Sequence, residues 1–228
     1  MAIYAISDLH LAISKPEKSM DEFGKDWENY QERIKENWEN QVKENDTVII
    51  AGDISWAMSL EEAKPDFEFI NNLPGNKIII KGNHDYYFST QAKVNKFLED
   101  NNFSTIKILY NNSYNVEGYN ICGARGWKHG TDTDVDDEKI LNREIGRLKL
   151  SIESIPEDKK SNPIIVATHF PPFDYRVRRT LEEYNVKICV YGHLHGDGHY
   201  MVNQGIEKGV NYIMVGGDYT GFRLIKLN

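Results

Sequence analysis

Cysteine is scarce in this chain of 228 residues, and long apolar runs are absent from it. Cys122 and Cys189 stand in apolar stretches without paired spacing, which indicates small buried hydrophobic side chains more than a disulfide. No stretch approaches the roughly 20 apolar residues that a transmembrane helix needs. The apolar N-terminal run is too short for a signal peptide and leads directly to Asp8. We therefore expect a soluble protein of the cytoplasm, without a membrane partner.

An excess of basic residues is also lacking. The chain has 27 lysines and arginines against 35 aspartates and glutamates, for a net charge of −8. This balance argues against a broad basic surface for nucleic acid. A small anionic substrate stays compatible, because bound metal ions would add positive charge that the residue count omits. No repeat, linker or low-complexity segment divides the chain, and we expect one domain over residues 1–228.

The chain does contain five short blocks of residues that commonly bind metals, each directly after an apolar run. The runs, at residues 2–7, 47–51, 77–81, 164–168 and 187–191, are predicted to be buried strands. The blocks are Asp8 with His10, then Asp53, then Asn83 with His84 and Asp85, then His169, then His193 with His195. Because α/β folds place their sites at the carboxyl ends of strands, we expect these side chains to meet.

Carboxylates, an amide oxygen and imidazoles make a mixed set of oxygen and nitrogen ligands. Such a set suits manganese, iron or zinc better than magnesium or calcium. The ligands are too many for one tetrahedral ion, whereas two ions about 3.5 to 4 Å apart could share a carboxylate. Asp53 is the natural bridge between them.

Each block also has a structural explanation when it is taken alone. An Asp-x-His at a strand end, or Gly52-Asp53, is more often a turn or a cap. Residues 82–85 could be a loop in which glycine and asparagine supply unusual backbone angles. A single histidine such as His169 is more often structural. His193 and His195, which share one face of an extended segment, are the strongest separate indication of metal. The metal prediction depends on all five blocks together.

The ordered blocks resemble those of the calcineurin-like metallophosphoesterase superfamily. They read Asp-Leu-His at 8–10, Gly-Asp at 52–53, Gly-Asn-His-Asp at 82–85, His169, and Gly-His-Leu-His at 192–195. The resemblance implies one metal held by Asp8, His10, Asp53 and His195, and another held by Asp53, Asn83, His169 and His193. It also implies that His84 stands over the substrate without binding metal, and that Asp85 orients His84 through a hydrogen bond.

The resemblance further implies a fold and a reaction. The fold is an α/β four-layer α/β/β/α sandwich of two mixed sheets flanked by helices; periodicity alone predicts only α/β or α+β. Two divalent or mixed-valence ions, manganese foremost and iron, zinc or nickel as alternatives, would generate a bridging hydroxide that attacks phosphorus. His84 would stabilise the phosphoryl charge or protonate the leaving alkoxide. We expect a small bacterial-type phosphohydrolase that acts on phosphomonoesters or phosphodiesters.

Other branches of the superfamily fit less well. Nucleases of the superfamily carry a further capping domain, and this chain ends soon after its last strands. Its protein phosphatases carry an arginine in the second and third blocks, where this chain reads Gly-Asp-Ile-Ser-Trp and Gly-Asn-His-Asp-Tyr. Hydrolases of the UDP-diacylglucosamine type have arginine at the position of His84. A catalytically silent scaffold, or a regulatory nucleotide-binding module, is the alternative outside enzymes.

Four residues near the blocks could contact a small phosphorylated substrate, with nucleotides among the candidates. Trp56 and Tyr86 follow ligand blocks, and Arg125 with Trp127 stands in a glycine-containing turn after a strand. A base or sugar could stack on the aromatic rings, and Arg125 could bind a phosphate. Packing is the somewhat favoured explanation for each aromatic residue.

Helices are predicted between the blocks. Residues 26–44 place Trp27, Tyr30, Ile34, Trp38 and Val42 on one face of an amphipathic helix. Ser59 begins another helix, for which we predict an interruption near Pro65. After His195 we predict only strands and turns.

Overall fold

The computed structural model of the protein describes residues 1–128 and 134–228, and two β-sheets run through these parts of the chain. The strands are β1 (Ile3–Ile6), β2 (Thr47–Ile50), β3 (Asn76–Ile79), β4 (Ile106–Ile108), β5 (Tyr114–Val116), β6 (Tyr119–Ala124), β7 (Ile164–Thr168), β8 (Ile188–Tyr191), β9 (Gly205–Glu207), β10 (Val210–Met214) and β11 (Ile225–Lys226). The helices are α1 (Tyr30–Gln41), α2 (Leu60–Asn72), α3 (Gln91–Asp100), α4 (Val135–Glu153), α5 (Tyr175–Glu183) and α6 (Gly217–Thr220).

Both sheets are mixed. The first has the strand order β11-β1-β2-β3-β4, in which β1 to β4 are parallel and β11 pairs antiparallel with β1. The second has the order β5-β6-β7-β8-β10-β9, with the four central strands parallel and an antiparallel strand at each edge. All five strands predicted to precede a ligand block are therefore parallel strands inside these sheets.

The core is divided into layers by the alternation of side chains along the strands. On β2, Ile49 packs between the sheets, whereas Val48 and Ile50 pack with helices α1 to α3 on the outer face. On β7, Val166 packs in the same way with α4 and α5 outside the second sheet, and Ile165 faces the first sheet. The parallel strands covered on both faces are predominantly apolar, as such sheets require, although β3 includes the buried Lys77. The predicted four-layer α/β/β/α sandwich is confirmed.

The two cysteines are buried and form no disulfide, as their apolar surroundings predicted. They lie on β6 and β8, and Val166 of β7 pairs with both. Burial raises the pKa of each thiol to about 12. No described helix has the length and apolar character needed to cross a membrane.

Three predictions about helices are wrong in detail. The helix predicted at residues 26–44 begins at Tyr30, because Asn29 adopts a left-handed conformation (φ 51°) that separates it from a short 3-10 turn at Lys25–Trp27. Helix α2 continues through Pro65, since its buried face holds the helix against the first sheet. A 3-10 helix at Gly196–Met201 and the short helix α6 follow His195, where only strands and turns were predicted.

A buried carboxylate connects helix α2 to the loops after β1 and β2. Asp66 accepts hydrogen bonds from the backbone N–H groups of Ile13 and Ser14, at 3.0 and 3.3 Å. It also accepts from the hydroxyls of Ser14 and Ser55. These loops follow Asp8 and Asp53 directly, so Asp66 fixes the positions of two of the ligand blocks relative to each other.

We expect Asp66→Ala to lower the free energy of unfolding by about 3 kcal/mol, because four donors lose a charged acceptor and some stay buried. Urea denaturation followed by circular dichroism measures the change. Glu68→Ala, at an exposed position of the same helix, is the matched control and should change stability little. Equal stability of the two variants would contradict the role given to Asp66.

Candidate metal centre

The ligand blocks meet at the carboxyl ends of the parallel strands, where backbone contacts hold them together. The N–H groups of Asp8 and His10 donate to the carbonyls of Gly52 and Asp53, each at 3.0 Å. Asp8, His10, Asp53 and His193 all have positive φ angles, between 44° and 73°. Residues other than glycine rarely adopt positive φ angles, and such backbone conformations concentrate at functional sites. Four of the seven predicted ligands are therefore held in backbone conformations that the surrounding fold imposes.

Two glycines in the blocks are required by close approach. A Cβ atom at Gly82 would overlap Asp53 Oδ1, and one at Gly192 would overlap Asp8 Oδ2. Gly82, before Asn83, and Gly192, before His193, thus allow the two loops to pass in direct contact with the carboxylates of Asp53 and Asp8.

One group of potential ligands contains Asp8, His10 and His195. His195 Nε2 lies 3.3 Å from Asp8 Oδ1 and 3.4 Å from His10 Nε2. His10 Nε2 lies 3.8 Å from Asp53 Oδ2. These separations suit atoms that share one ion at about 2.0 to 2.2 Å from each. The first three residues can hold a metal ion together.

A second group contains Asp8, Asp53 and His169. His169 Nε2 lies 3.3 Å from Asp53 Oδ2 and 2.7 Å from Asn83 Oδ1. The ring of His193 is near, with its centroid 5.1 Å from that of His169. The backbone N–H of His193 also donates to Asp8 Oδ2 at 3.0 Å, so all seven predicted metal ligands lie in one region.

Asp53 belongs to the second group and also lies 3.8 Å from His10 of the first, and it gives the clearest test of whether metal fits. Its Oδ1 accepts the N–H of His84 at 2.8 Å, whereas the buried Oδ2 accepts no hydrogen bond from the described residues. A buried carboxylate oxygen without a donor is costly, and a cation is the partner that this set of oxygen and nitrogen atoms suits. The residues present thus fit a metal centre in which Asp53 is shared.

Two histidines are oriented by acceptors at their other ring nitrogen. His169 Nδ1 lies 3.0 Å from the carbonyl oxygen of Ala51, which can only accept, so Nδ1 carries a proton and Nε2 is turned toward Asp53 and Asn83. His195 Nδ1 lies 3.0 Å from Asp218 Oδ1, which leaves Nε2 facing Asp8 and His10. Acceptors of this kind fix the tautomer of metal-binding histidines.

Asp218 was missed by the sequence analysis. It is buried, follows β10 after two glycines, and accepts a hydrogen bond from the N–H of Gly196 as well as from His195. The signal was present, because an apolar run followed by Gly-Gly-Asp repeats the pattern of the ligand blocks. Trp27 was predicted only as a core residue, yet its ring also lies 5.7 Å from that of His10 and 5.5 Å from that of His195.

The pKa values report a site with a surplus of negative charge. Burial disfavours the charged form of His195, but the carboxylates of Asp8 and Asp218 raise its pKa to about 10. Burial would raise the pKa of Asp8, yet His195 and other imidazoles hold it well below its ordinary value. Burial lowers the pKa values of His10 and His193 to about 4. His10 and His193 therefore have the neutral form that metal binding needs, whereas a metal ion at His195 would displace a proton. Burial disfavours the charged form of His169, but the carboxylates of Asp53 and Asp8 raise its pKa as well.

His84 is half-buried beside the ligands. Its backbone is fixed by Asp53, its ring centroid lies 5.6 Å from that of His10, and its Nδ1 lies 3.3 Å from the hydroxyl of Tyr86. The hydrogen bond predicted from Asp85 to His84 is not formed. Among the described contacts of His84, the hydroxyl of Tyr86 is the group within hydrogen-bond distance of the imidazole.

Asp85 instead holds two loops together. Its buried carboxylate accepts the N–H groups of Asp53 at 3.0 Å, Ile54 at 2.8 Å and Gly82 at 2.7 Å, and the hydroxyl of Tyr87 at 2.9 Å. Burial, with the nearby charge of Asp53, raises the pKa of Asp85 to about 6. A carboxylate without access to water takes the nearest donors, which here are backbone amides of both loops. Asp85 is therefore connected to His84 only through the loop and through Asp53, whose carboxylate accepts the N–H of His84, among the contacts of the described residues.

The four residues proposed to contact substrate separate into two pairs. The ring of Trp56 stacks on that of His10 with a centroid distance of 4.8 Å and lies 4.7 Å from the ring of His84. Tyr86 lies next to His84 and is half-exposed. Arg125 instead lies 4.5 Å over the ring of Trp127 and lines a neighbouring cavity. The first pair borders the candidate metal centre directly.

The fold and the site define a class: an α/β/β/α sandwich with a candidate metal centre at the carboxyl ends of its strands. The family model for calcineurin-like phosphoesterases matches residues 1–197. The chain belongs to this family, and the membership supports a phosphoesterase.

Individual proteins are similar to this chain over most of its length. An uncharacterized protein of Methanocaldococcus jannaschii, MJ1445, is 28% identical over 168 residues, which are 72% of this chain and 89% of that protein. Among solved structures, phosphopantetheinyl hydrolase from Mycobacterium tuberculosis superposes with a TM-score of 0.57 at 15% identity, covering 99% of this chain and 95% of that one. The protein TT1561 of Thermus thermophilus gives 0.55 at 13% identity, with coverages of 99% and 97%. At these identities the two structures show a shared fold.

We expect Asp218→Asn to weaken manganese binding about 10- to 100-fold, because His195 loses the charged acceptor that orients its ring. Calorimetric titration of the metal-free protein with manganese measures the affinity. Asp197→Asn, an exposed aspartate in the turn after His195, is the matched control. Unchanged affinity in the Asp218 variant would show that the hydrogen bond does not position His195.

Proposed function

We propose that this protein is a dinuclear metal-dependent phosphohydrolase that hydrolyses a small phosphorylated substrate. The observation that carries the proposal is Asp53, whose buried Oδ2 has no described hydrogen-bond donor and lies within 3.8 Å of His10 and 3.3 Å of His169. A carboxylate in this position is suited to bridging two cations. Membership in the calcineurin-like phosphoesterase family agrees with that chemistry.

The proposed ligand sets are those that the family resemblance implies, and they differ from the two groups in that Asp8 belongs to both groups and Asp53 only to the second. Asp8, His10, Asp53 and His195 hold one ion, and Asp53, Asn83, His169 and His193 hold the other. Manganese is the first ion to test, with iron, zinc and nickel as alternatives. When bound, two divalent ions neutralise phosphoryl oxygens and make water nucleophilic at neutral pH.

His84 is the residue proposed to act on the substrate. The hydrogen bond from its N–H to Asp53 fixes the backbone, and the hydroxyl of Tyr86 lies at Nδ1. Nε2 is therefore the nitrogen left to donate a proton to the leaving oxygen or to stabilise phosphoryl charge. Trp56 packs against the rings of both His84 and His10, which limits the movement of the imidazole.

The rings of Trp56 and Tyr86 both lie near that of His84, and the two residues are proposed to contact the organic part of the substrate. Aromatic rings at this place suit stacking of a base or a sugar, so nucleotides remain among the candidate substrates. Monoesters and diesters are both tested below, because the ligand set serves either.

We expect His84→Asn to lower the turnover of bis(p-nitrophenyl) phosphate and p-nitrophenyl phosphate by about 10²- to 10⁴-fold, because the proton donor is lost. The assay uses metal-stripped protein resupplied with manganese, and metal content is measured in parallel. Retained metal with lost turnover supports the role of His84, and the better substrate of the wild type distinguishes diesterase from monoesterase. Full activity in the variant would refute the role. No turnover by wild type with two ions bound would favour a binding or scaffold protein.

We expect Asp53→Asn to reduce bound metal at both sites, since one carboxylate is proposed to serve both ions. Elemental analysis after manganese loading gives the number of ions per chain. Asp100→Asn, on the exposed face of α3, is the control and should retain the content of the wild type. Two ions bound to the Asp53 variant would rule out the bridge.

A further inference from the structure

A cavity of about 160 Å³ lies beside the candidate metal centre, at the carboxyl ends of β3, β4 and β6. Its volume exceeds by far what a single water molecule needs. Five charged residues line it, and we call them the basic cluster: Lys81, Arg125, Arg143, Glu144 and Arg147. Neither the predicted ligands nor His84 belong to this lining.

Two arginines of the basic cluster are held by aromatic rings. The guanidinium of Arg125 lies 4.5 Å from the ring centroid of Trp127, and that of Arg147 lies 4.7 Å from the ring centroid of Tyr110. A guanidinium that stacks by its face keeps its N–H groups available at its edge. The rings therefore fix the two cations without using their hydrogen-bond donors.

Those donors have no acceptor of their own in the described parts of the chain. The guanidinium groups of Arg125, Arg143 and Arg147 form ion pairs with Glu144 at 3.8, 3.7 and 3.7 Å, distances too long for hydrogen bonds. The side chain of Glu144 is only 2% exposed, and neither of its oxygens accepts a hydrogen bond from a described residue. An internal ion cluster built for stability would instead form direct, bidentate hydrogen bonds.

The charges of the basic cluster do not balance. Four cationic side chains face the single carboxylate of Glu144. Burial, and then repulsion from Arg143 and Arg147, lower the pKa of Arg125 although Glu144 opposes them. Lys81 donates one of its three N–H groups to the carbonyl of Phe88 at 2.7 Å, so the three arginines are the cations with the most donors to offer.

We propose that the basic cluster binds an oxyanion of the phosphate class. Arginine forks match the oxygens of phosphate, and a dianion would offset most of the surplus positive charge. Glu144 can accept a hydrogen bond from the hydroxyl of a protonated phosphate or from a neighbouring hydroxyl of the ligand.

The cavity is connected to the candidate metal centre through the backbone. Lys81 directly precedes Gly82 and the asparagine block, and the carbonyl of Arg125 accepts the N–H of His169 at 3.0 Å. The oxyanion is therefore either a second phosphate of the substrate itself, which rests on the proposed function, or a free phosphate that binds next to the site.

Calorimetric titration of the full chain with inorganic phosphate tests the site, with chelator present so that no metal contributes. We expect binding by the wild type and about tenfold or greater weakening in Arg147→Gln, from the loss of charged hydrogen bonds. Lys139→Gln, exposed on the same helix, is the matched control. Arg143→Gln, with a side chain 55% exposed, repeats the test with less effect on folding. No binding by the wild type, or binding as tight as that of the wild type in both arginine variants, would overturn the proposal. Neither result depends on hydrolysis.

A second titration distinguishes the two sources of the anion. Manganese-loaded protein is titrated with methylphosphonate and with a series of α,ω-alkyl bisphosphonates, which resist hydrolysis. If one substrate carries both phosphates, a bisphosphonate of matching length binds far more tightly than methylphosphonate, and Arg147→Gln removes the difference. If the ligand is free phosphate, every chain length binds like methylphosphonate while inorganic phosphate still binds in the cavity. If phosphate does not bind in the cavity, both sources of the anion are ruled out, whether or not the metal centre hydrolyses a substrate.

Discussion

Buried negative charge at the carboxyl ends of the parallel strands is the constraint on which the rest of this structure depends. Asp8, Asp53 and Asp85 lie close together without access to water, where like charges repel strongly. Each is compensated differently. Asp85 takes backbone amides and has a raised pKa, Asp8 is faced by His195, and Asp53 keeps one oxygen without a donor. The backbone around these carboxylates is adapted to their positions: several residues have positive φ angles, and two glycines lie in close contact with carboxylate oxygens.

The layers around the site hold these charges in place. Apolar side chains between the two sheets exclude water beneath the strand ends, and the helices outside each sheet prevent the strands from shifting. Asp66 and Asp85 add polar connections at loop level: the first joins α2 to the loops after β1 and β2, and the second joins the loops that carry Asp53 and His84. Rigid support of this kind is what a preorganised site needs.

The sequence was most informative where a local pattern sufficed. Apolar runs marked the parallel strands, and ligand types at their ends marked the site, because both features are contained in a few neighbouring residues. Contacts between loops that are far apart in the sequence could not be predicted from local patterns, and so the hydrogen-bond partners of Asp85 were predicted wrongly. Asp218 follows the same pattern as the ligand blocks but has no place in the family's set of motifs. The start of α1 depends on the left-handed Asn29, and the continuity of α2 at Pro65 depends on packing, neither of which periodicity reveals.

The ligand groups draw on both sheets, since Asp8 and Asp53 follow strands of the first and His169 and His195 follow strands of the second. Contacts of such sequence separation form slowly, because much chain must be ordered before they stabilise anything. The site is therefore complete only when residues that follow strands of both sheets are in place. An ion that binds the folded chain and not the unfolded one would raise the free energy of unfolding. Metal supply would then affect the stability of the folded chain.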